Sequence, residues 1–304
     1  MHLSLHRLWA FVQVVENGGF SAAAEKLYMS QPSISNHVRQ LEASLHTTLI
    51  DRTGSRIRPT VEGEVLLGYA KRLFALSEEA ATAVASVGNL ESGKVTVGGT
   101  TTIGTYFLPS VMAQFRGLYP AVELNVVVGN GKEISRALLD GELGLAVMAG
   151  APSSAQLAHE QILTEQLILI CHPDSDLLGR RVTRDDLLGT TFILREPGSE
   201  TRARQESALE HWDLSTIERA ELWGLETAKR GVMAGLGISL ISEHAVDLEL
   251  SNGQLGVVDI HSPFEARPVV VSARRDRLLP PAEKALLKIL RGLGEWPGAL
   301  TLGD

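Results

Sequence analysis

The sequence predicts a mixed architecture: a small helical domain with a β-hairpin, one long helix, and an α/β domain in two lobes. Three observations predict it. Two short amphipathic helices, parted by a three-residue turn and with a proline opening the second, lie at residues 20–42. Apolar residues then recur at alternating intervals of three and four from Leu66 to Leu90. Beyond Gly93, short apolar strands alternate with helical stretches to the end of the chain. The divisions fall at residues 1–60, 61–92 and 93–304, with one lobe at about 93–164 and 266–304 and the other at about 165–265.

In the first helix Leu8, Phe11, Val12 and Val15 form a stripe that runs to about Asn17 and stops at Gly18-Gly19. In the second, Ala23, Ala24 and Leu27 share a face that lets another helix cross closely, and Ser21 is placed as an N-cap. Tyr28, Met29 and Ser30 make the turn. Pro32 follows in the first turn of the third helix, where its missing N–H costs nothing. Ile34, Val38, Leu41 and Leu45 bury one side of that helix, so Pro32, Ser33, Asn36, Arg39 and Gln40 point outward. Short, uncharged or basic side chains of this kind suit a major groove. Residues 48–52 and 55–58 flank Thr53-Gly54 as strand, turn and strand. Three helices and a basic hairpin make a winged helix-turn-helix. Ser33 and Asn36 are expected at base edges, with Pro32 against a thymine methyl. Gln31, Ser35 and Arg52 are expected on phosphates, and Arg56 in the minor groove. Arg39, Arg58 and Thr60 complete the set expected to face double-stranded DNA.

The pattern AAxxLxxSQPxxSxxVxxLE, followed by LxxR and TxxG, is carried by Ala23, Ala24, Leu27, Ser30, Gln31, Pro32, Ser35, Val38, Leu41, Glu42, Leu49, Arg52, Thr60 and Gly63. It resembles the LysR-type transcriptional regulators, densely as far as Gly63 and in layout beyond. Ile50 stands where that family usually has Phe, and Asn36 where it often has Arg.

Composition accords with this. The net charge of −8 excludes DNA binding over the whole surface. Residues 1–60, however, hold six Lys/Arg against four Asp/Glu, a balance of +2, and the remainder holds 22 against 32, a balance of −10. Such a chain can bind DNA through one small positive face, with the rest repelled from phosphate. No apolar run reaches the ~18 residues of a membrane span, and no basic stretch precedes an apolar block at the N-terminus. The single Cys171 excludes an internal disulfide and suits a reducing compartment, and its apolar neighbours LILIC mark it as buried. A cytoplasmic protein without a membrane partner is expected.

From Val61 to about Leu90 the chain reads as one helix capped by Thr60, roughly 45 Å long at 1.5 Å per residue. Leu66, Tyr69, Leu73, Leu76, Ala80, Ala83 and Val87 form a heptad seam between polar flanks. Such a stripe calls for a partner, either a second copy of the helix or the chain's own C-terminal domain. The first is the better reading, and the resemblance implies it too, together with a tetramer.

Strands at 94–98, 122–128 and 143–148 alternate with helices at 104–118 and 132–139, the order of a parallel sheet. A second set has strands at 167–171, 190–194, 218–222, 237–241 and 255–259 and helices at 184–188, 199–211, 225–234 and 242–250. A strand at 267–273 and a helix at 281–293 close the chain. Two lobes joined by two crossovers resemble the periplasmic-binding-protein fold of the family's effector domain.

A ligand in such a fold lies between the lobes, at strand carboxyl ends and helix amino ends. Thr100, Thr101 and Thr102 follow the first strand, and Met148 lies at the end of the third. Residues 195–202, REPGSETR, follow a strand and open a helix at Ser199. Gly198 there permits close backbone approach, Ser199 and Thr201 supply hydroxyls, and the helix start favours an anion. Arg195 and Glu196 complete the expected effector contacts. Simple N-capping explains Ser199 equally well, whereas three successive threonines exceed what one cap needs. RExGSxTR, with TTTIG before the first helix of this domain, resembles the carbon-fixation and sulfur-assimilation regulators, with Glu200 where that subgroup often has Gly.

Of the nine scattered histidines only His2 and His6 stand four apart, with no Cys or carboxylate beside them, so no metal and no cofactor is expected. The chain reads as a regulator and not an enzyme: a homo-oligomer that binds DNA and senses a small anionic metabolite. An α/β enzyme is one rival, with Glu196 and Glu226 as the only acid–base pair on offer. A solute-binding protein is another, but it leaves the first 90 residues unexplained.

Overall fold

The computed structural model describes residues 3–52, 57–85, 93–261 and 264–297, and the chain forms two compact units that part at Val84 and Ala85.

The first unit comprises α1 (Leu5–Glu16), α2 (Phe20–Lys26), α3 (Gln31–Leu45), β1 (Ile50–Asp51), β2 (Arg58–Pro59) and α4 (Val61–Ala85). Leu8, Phe11, Val14, Ala23, Ile34, Val38 and Leu41 are its buried centre. Gly18, at φ +70, ends the first helix as the sequence predicts. Ser21 does not cap α2: burial of Phe20 in the core starts the helix two residues earlier, with Gly19 at the cap position. Tyr28 turns the chain at φ +53, and the Ser33 N–H donates to the Ser30 hydroxyl, which caps α3. The two wing strands pair antiparallel, Ile50 with Pro59 and Asp51 with Arg58. Arg56 lies outside the described residues.

Thr60 caps α4 by accepting from the Gly63 N–H at 3.0 Å, and its hydroxyl donates to the Thr48 carbonyl at 2.7 Å. Gly63 is required by contact, because a Cβ there would strike the Leu49 carbonyl. One side of α4 belongs to the domain core: Ala70 is fully buried, and Leu66, Leu67 and Phe74 pack beside it. Leu66 therefore leaves the expected seam. The exposed apolar stripe instead begins at Val61 and Val65 and continues through Tyr69, Leu73 and Leu76, with exposed Ala80 and Val84 beyond. Val87 and the Ala83 side chain lie outside the described residues.

The second unit begins with β3 (Gly93–Thr100), a single π-helical turn (Ile103–Phe107), α5 (Leu108–Leu118), β4 (Val122–Gly129), α6 (Gly131–Asp140), β5 (Leu145–Ala149) and β6 (Leu157–Glu165). The chain then crosses to β7 (Leu167–Cys171), β8 (Arg181–Val182), α7 (Arg184–Leu187), β9 (Thr191–Leu194), α8 (Glu200–His211), β10 (Glu218–Glu221) and α9 (Leu225–Met233). Next come β11 (Ser239–Ser242), α10 (Asp247–Ser251), β12 (Gly256–Val257) and β13 (Asp259–Ile260). The chain returns through β14 (Arg267–Arg274) to α11 (Pro281–Arg291).

The first lobe is a five-stranded sheet ordered β4-β3-β5-β14-β6, parallel through β4, β3 and β5 and antiparallel at β14 and β6. Strand β6 escapes sequence reading because it is a sheet edge whose central residues, His159, Glu160 and Gln161, are exposed and polar. In the second lobe β7 lies between β11 and β12, and β9 pairs in parallel with β10. The strand expected at 255–259 divides into β12 and β13, which pair with different partners. Glu165 and Arg267 stand opposite each other in register, beside the two places where the chain passes between lobes.

Candidate functional site

On α3 the residues Gln31, Pro32, Asn36, Arg39 and Gln40 are exposed, and Ser33 and Ser35 are half-buried. No acid occupies its first two turns; the first carboxylate is Glu42. That carboxylate faces the wing, accepting from the Leu49 and Ile50 N–H groups at 2.9 and 3.3 Å and from Arg52 Nη2 at 3.1 Å. Arg52 also lies over the Phe20 ring, 5.0 Å from its centroid. This guanidinium is thus an internal clip between wing and α3 as well as a half-exposed cation, while Arg58 is exposed on β2.

The second site is a cavity of about 10 Å³ between the lobes of the second unit, room for about one water-sized group. Thr100, Thr101 and Thr102 line it from the end of β3, Asn130 and Gly131 from the start of α6, and Ala149 from the end of β5. Arg195, Ser199, Glu200 and Thr201 face them from the second lobe, and Arg267 enters from β14. Close packing holds the threonines in place: a Cβ on Gly99 would fall 2.8 Å from the Gly104 Cα, and one on Gly104 2.6 Å from Val128 Cγ2. Thr100 Oγ1 accepts from the Ala149 N–H at 3.0 Å, joining the ends of β3 and β5.

Arg195 and Arg267 are each 1% exposed. Arg195 donates Nε and Nη2 to Glu196 at 2.9 and 2.7 Å, and its backbone N–H reaches the fully buried Gln205 side chain at 2.8 Å. Arg267 donates Nε to Glu165 at 2.6 Å and Nη1 to the Thr201 hydroxyl at 3.1 Å. Each arginine is left with one buried terminal nitrogen, Nη1 of Arg195 and Nη2 of Arg267, that finds no hydrogen-bond partner among the described residues. Buried donors of this kind are costly unless something accepts from them. The Ser199 hydroxyl also makes no capping bond to α8, which it precedes.

Two expectations need correction. Met148 is buried but on the other face of β5, packed with Ile134, Leu138 and Val270; alternation along the strand turns Ala149 to the cleft instead. Glu196 does not line the cavity. Burial alone would raise its pKa, but the paired Arg195 and the Gly224 N–H hold it down to about 2. Gly198 holds φ +89, which favours glycine, and a Cβ built there has no protein atom nearer than 3.8 Å. Arg267, Glu165 and Gln205 escape sequence reading. Nothing local marks an arginine that opens a strand as a ligand group.

The acid–base rival also fails on geometry. Glu226 accepts from Lys229 at 2.9 Å and from the Tyr106 hydroxyl at 2.7 Å. Burial opposes the shift, yet these partners hold Glu226 below the ordinary carboxylate range. With Glu196 also depressed, neither carboxylate is poised to exchange a proton near neutrality.

A winged helix-turn-helix with a carboxylate-free reading face, joined in one chain to a two-lobed domain with a donor-rich cleft, defines a DNA-binding protein that responds to a ligand. Residues 5–64 match the family described as "Bacterial regulatory helix-turn-helix protein, lysR family", and residues 88–294 match the "LysR substrate binding domain". The HTH-type transcriptional regulator CfxR of Cupriavidus necator is 33% identical over 97% of this chain and 94% of its own. CbbR of Xanthobacter flavus is 31% identical over 96% and 89%. Among solved structures, a point variant of full-length OxyR from Pseudomonas aeruginosa superimposes with a TM-score of 0.75 at 24% identity, over 96% of this chain and 95% of that one. The chain belongs to the LysR family of transcriptional regulators. It is a DNA-binding, effector-responsive regulator that acts as an oligomer, and not an enzyme. Among the described residues no helix is long and apolar enough to cross a membrane.

Proposed function

We propose that this regulator reads DNA through Ser33 and Asn36 at base edges, with Pro32 against a thymine methyl, and responds to a small anion held in the cleft. Gln31, Ser35, Arg39, Arg52, Arg58 and Thr60 position the duplex through its backbone, and Arg56 enters the minor groove. The effector contacts are Thr100, Thr101, Thr102, Arg195, Ser199 and Thr201, joined by Arg267. The observation that carries the anionic reading is the pair of buried arginines that line one cavity, each with an unanswered donor. The start of α8 adds its free N–H groups and positive dipole end.

The stripe of Tyr69, Leu73, Leu76 and Ala80 on α4 joins two copies of the helix, and two such dimers form a tetramer in the cytoplasm. Effector binding shifts the population of lobe arrangements and thereby the bend imposed on DNA. The test is calorimetry of the full-length protein with small anions, parent against Thr201→Val. The valine keeps the shape and removes the hydroxyl that meets Arg267, so the affinity falls about tenfold. Undiminished binding in the variant places the effector elsewhere.

A further inference from the structure

We propose that the cleft selects a phosphate-type group that still carries a proton, and that Glu200 reads that proton. This rests on the anionic reading of the cleft and concerns which anion it accepts. The donors in the cavity are rich, but their charge is already spent. Arg195 is paired with Glu196 and Arg267 with Glu165, at 2.7 and 2.6 Å. Glu200 brings a further carboxylate to the lining, answered by Arg204 at 3.4 Å. Two pairs and a third leave the site near neutrality, so it offers hydrogen bonds without excess positive charge. A fully deprotonated dianion gains little there and meets a carboxylate.

The position of Glu200 is built into both lobes. It is the first residue of α8, and its carboxyl group occupies the space over Gly150, just beyond the end of β5. A Cβ on Gly150 would fall 2.6 Å from both Cδ and Oε1 of Glu200. Gly150 also holds φ +86, so the backbone and the tight space together favour glycine opposite this side chain. An ionised carboxylate only accepts hydrogen bonds. The cavity of about 10 Å³ holds only about one water-sized group with the lobes as they stand, so the lobes must part to admit a head group, and Glu200 then demands that the head group donate. A phosphate oxygen bearing hydrogen satisfies it with a short charge-assisted bond, while the remaining oxygens accept from Arg195 and Arg267. Sulfate, of nearly the same shape, has no proton to give at neutral pH.

The test is calorimetric titration of the full-length protein with inorganic phosphate and with sulfate near neutral pH. Phosphate is expected to bind at least about tenfold more tightly. Glu200→Gln adds a donor of the same shape and brings the two anions within about threefold, chiefly by a gain for sulfate. Glu200→Gly, which removes the carboxylate outright, also narrows the gap. Methyl phosphate, titrated below its second pKa of about 6 so that it keeps its proton, distinguishes the sources: binding close to that of phosphate at the same pH identifies an esterified group as acceptable, and a loss beyond about tenfold identifies the free ion. Both results support the proposal. Sulfate bound by the parent as tightly as phosphate, with both weakened by Thr201→Val, leaves the anionic cleft standing and overturns the role of Glu200. Binding of neither anion, by the parent or by Glu200→Gln, removes the anionic reading and the proposal with it.

Discussion

The reading face of α3 and the interlobe cleft use polar groups in opposite ways. On α3 the proposed contacts are exposed or half-buried and local in sequence; Glu42 and Arg52, at the edge of the face, are engaged with each other. In the cleft they are buried, drawn from the ends of several separate elements, and tied to one another. A surface that must slide over many sequences keeps its donors free. A site that must recognise one small group fixes its donors beforehand and leaves one atom of each unanswered. Changes in the first region should therefore alter recognition and leave stability alone, whereas changes in the second should alter both.

The largest expected effect is Arg267→Met. It leaves Glu165, fully buried, without its cation, at a cost of about 3–5 kcal/mol. Thermal unfolding should then fall by on the order of 10 °C. The double variant Glu165→Leu with Arg267→Met should recover much of that loss. A single variant as stable as the parent would show that the buried pair does not hold the cleft together. Next is Asn36→Ala, which should lose about 1–3 kcal/mol at one base pair while stability stays within about 0.5 kcal/mol. Binding measured over a panel of single-base operator variants checks it, and an equal loss on every sequence would erase the distinction between the two regions.

A smaller effect comes from Glu196, whose pKa lies below its unfolded value of 4.5, at about 2. Its contribution is fully present above pH 4.5 and is lost as pH falls towards 2. Denaturant melts through this window should show an acid limb that flattens in Glu196→Gln. An unchanged limb would mean that the Arg195 pair contributes nothing to folding. The smallest change is expected for Arg52→Ala. Breaking a half-exposed pair costs less than about 1 kcal/mol of stability, and the salt dependence of DNA binding should lose about one unit of slope. A loss confined to particular bases would instead make Arg52 a reader of sequence.

The same contrast explains what was legible. The winged helix-turn-helix could be read because its buried and exposed faces follow one helical period within α3, so Ile34 and Val38 announce Asn36 and Arg39. In the cleft, strand ends and helix starts disclosed Thr100, Ser199 and Thr201, each near a recognisable boundary. Met148 failed because a strand's two faces differ by one residue and its end could not be fixed that closely. Leu66 failed for a related reason: α4 has two apolar faces, and periodicity alone does not say which one the neighbouring core takes. Arg267 was invisible because its function depends on Thr201 and Glu165, 66 and 102 residues away.

The placement of that ion pair has a mechanical consequence. Glu165 and Arg267 bind together the two strands through which the lobes are connected, close to the crossings themselves. Two connectors pinned side by side act as a door hinge, not a ball joint: they permit swinging and resist twisting. Whatever rests against Arg267 sits near the pivot, where a small displacement produces the widest sweep at the far edges of the lobes. A group of only a few atoms bound at the proposed site would thereby gain leverage over a whole lobe. Its size need bear no relation to the size of the rearrangement that it sets off.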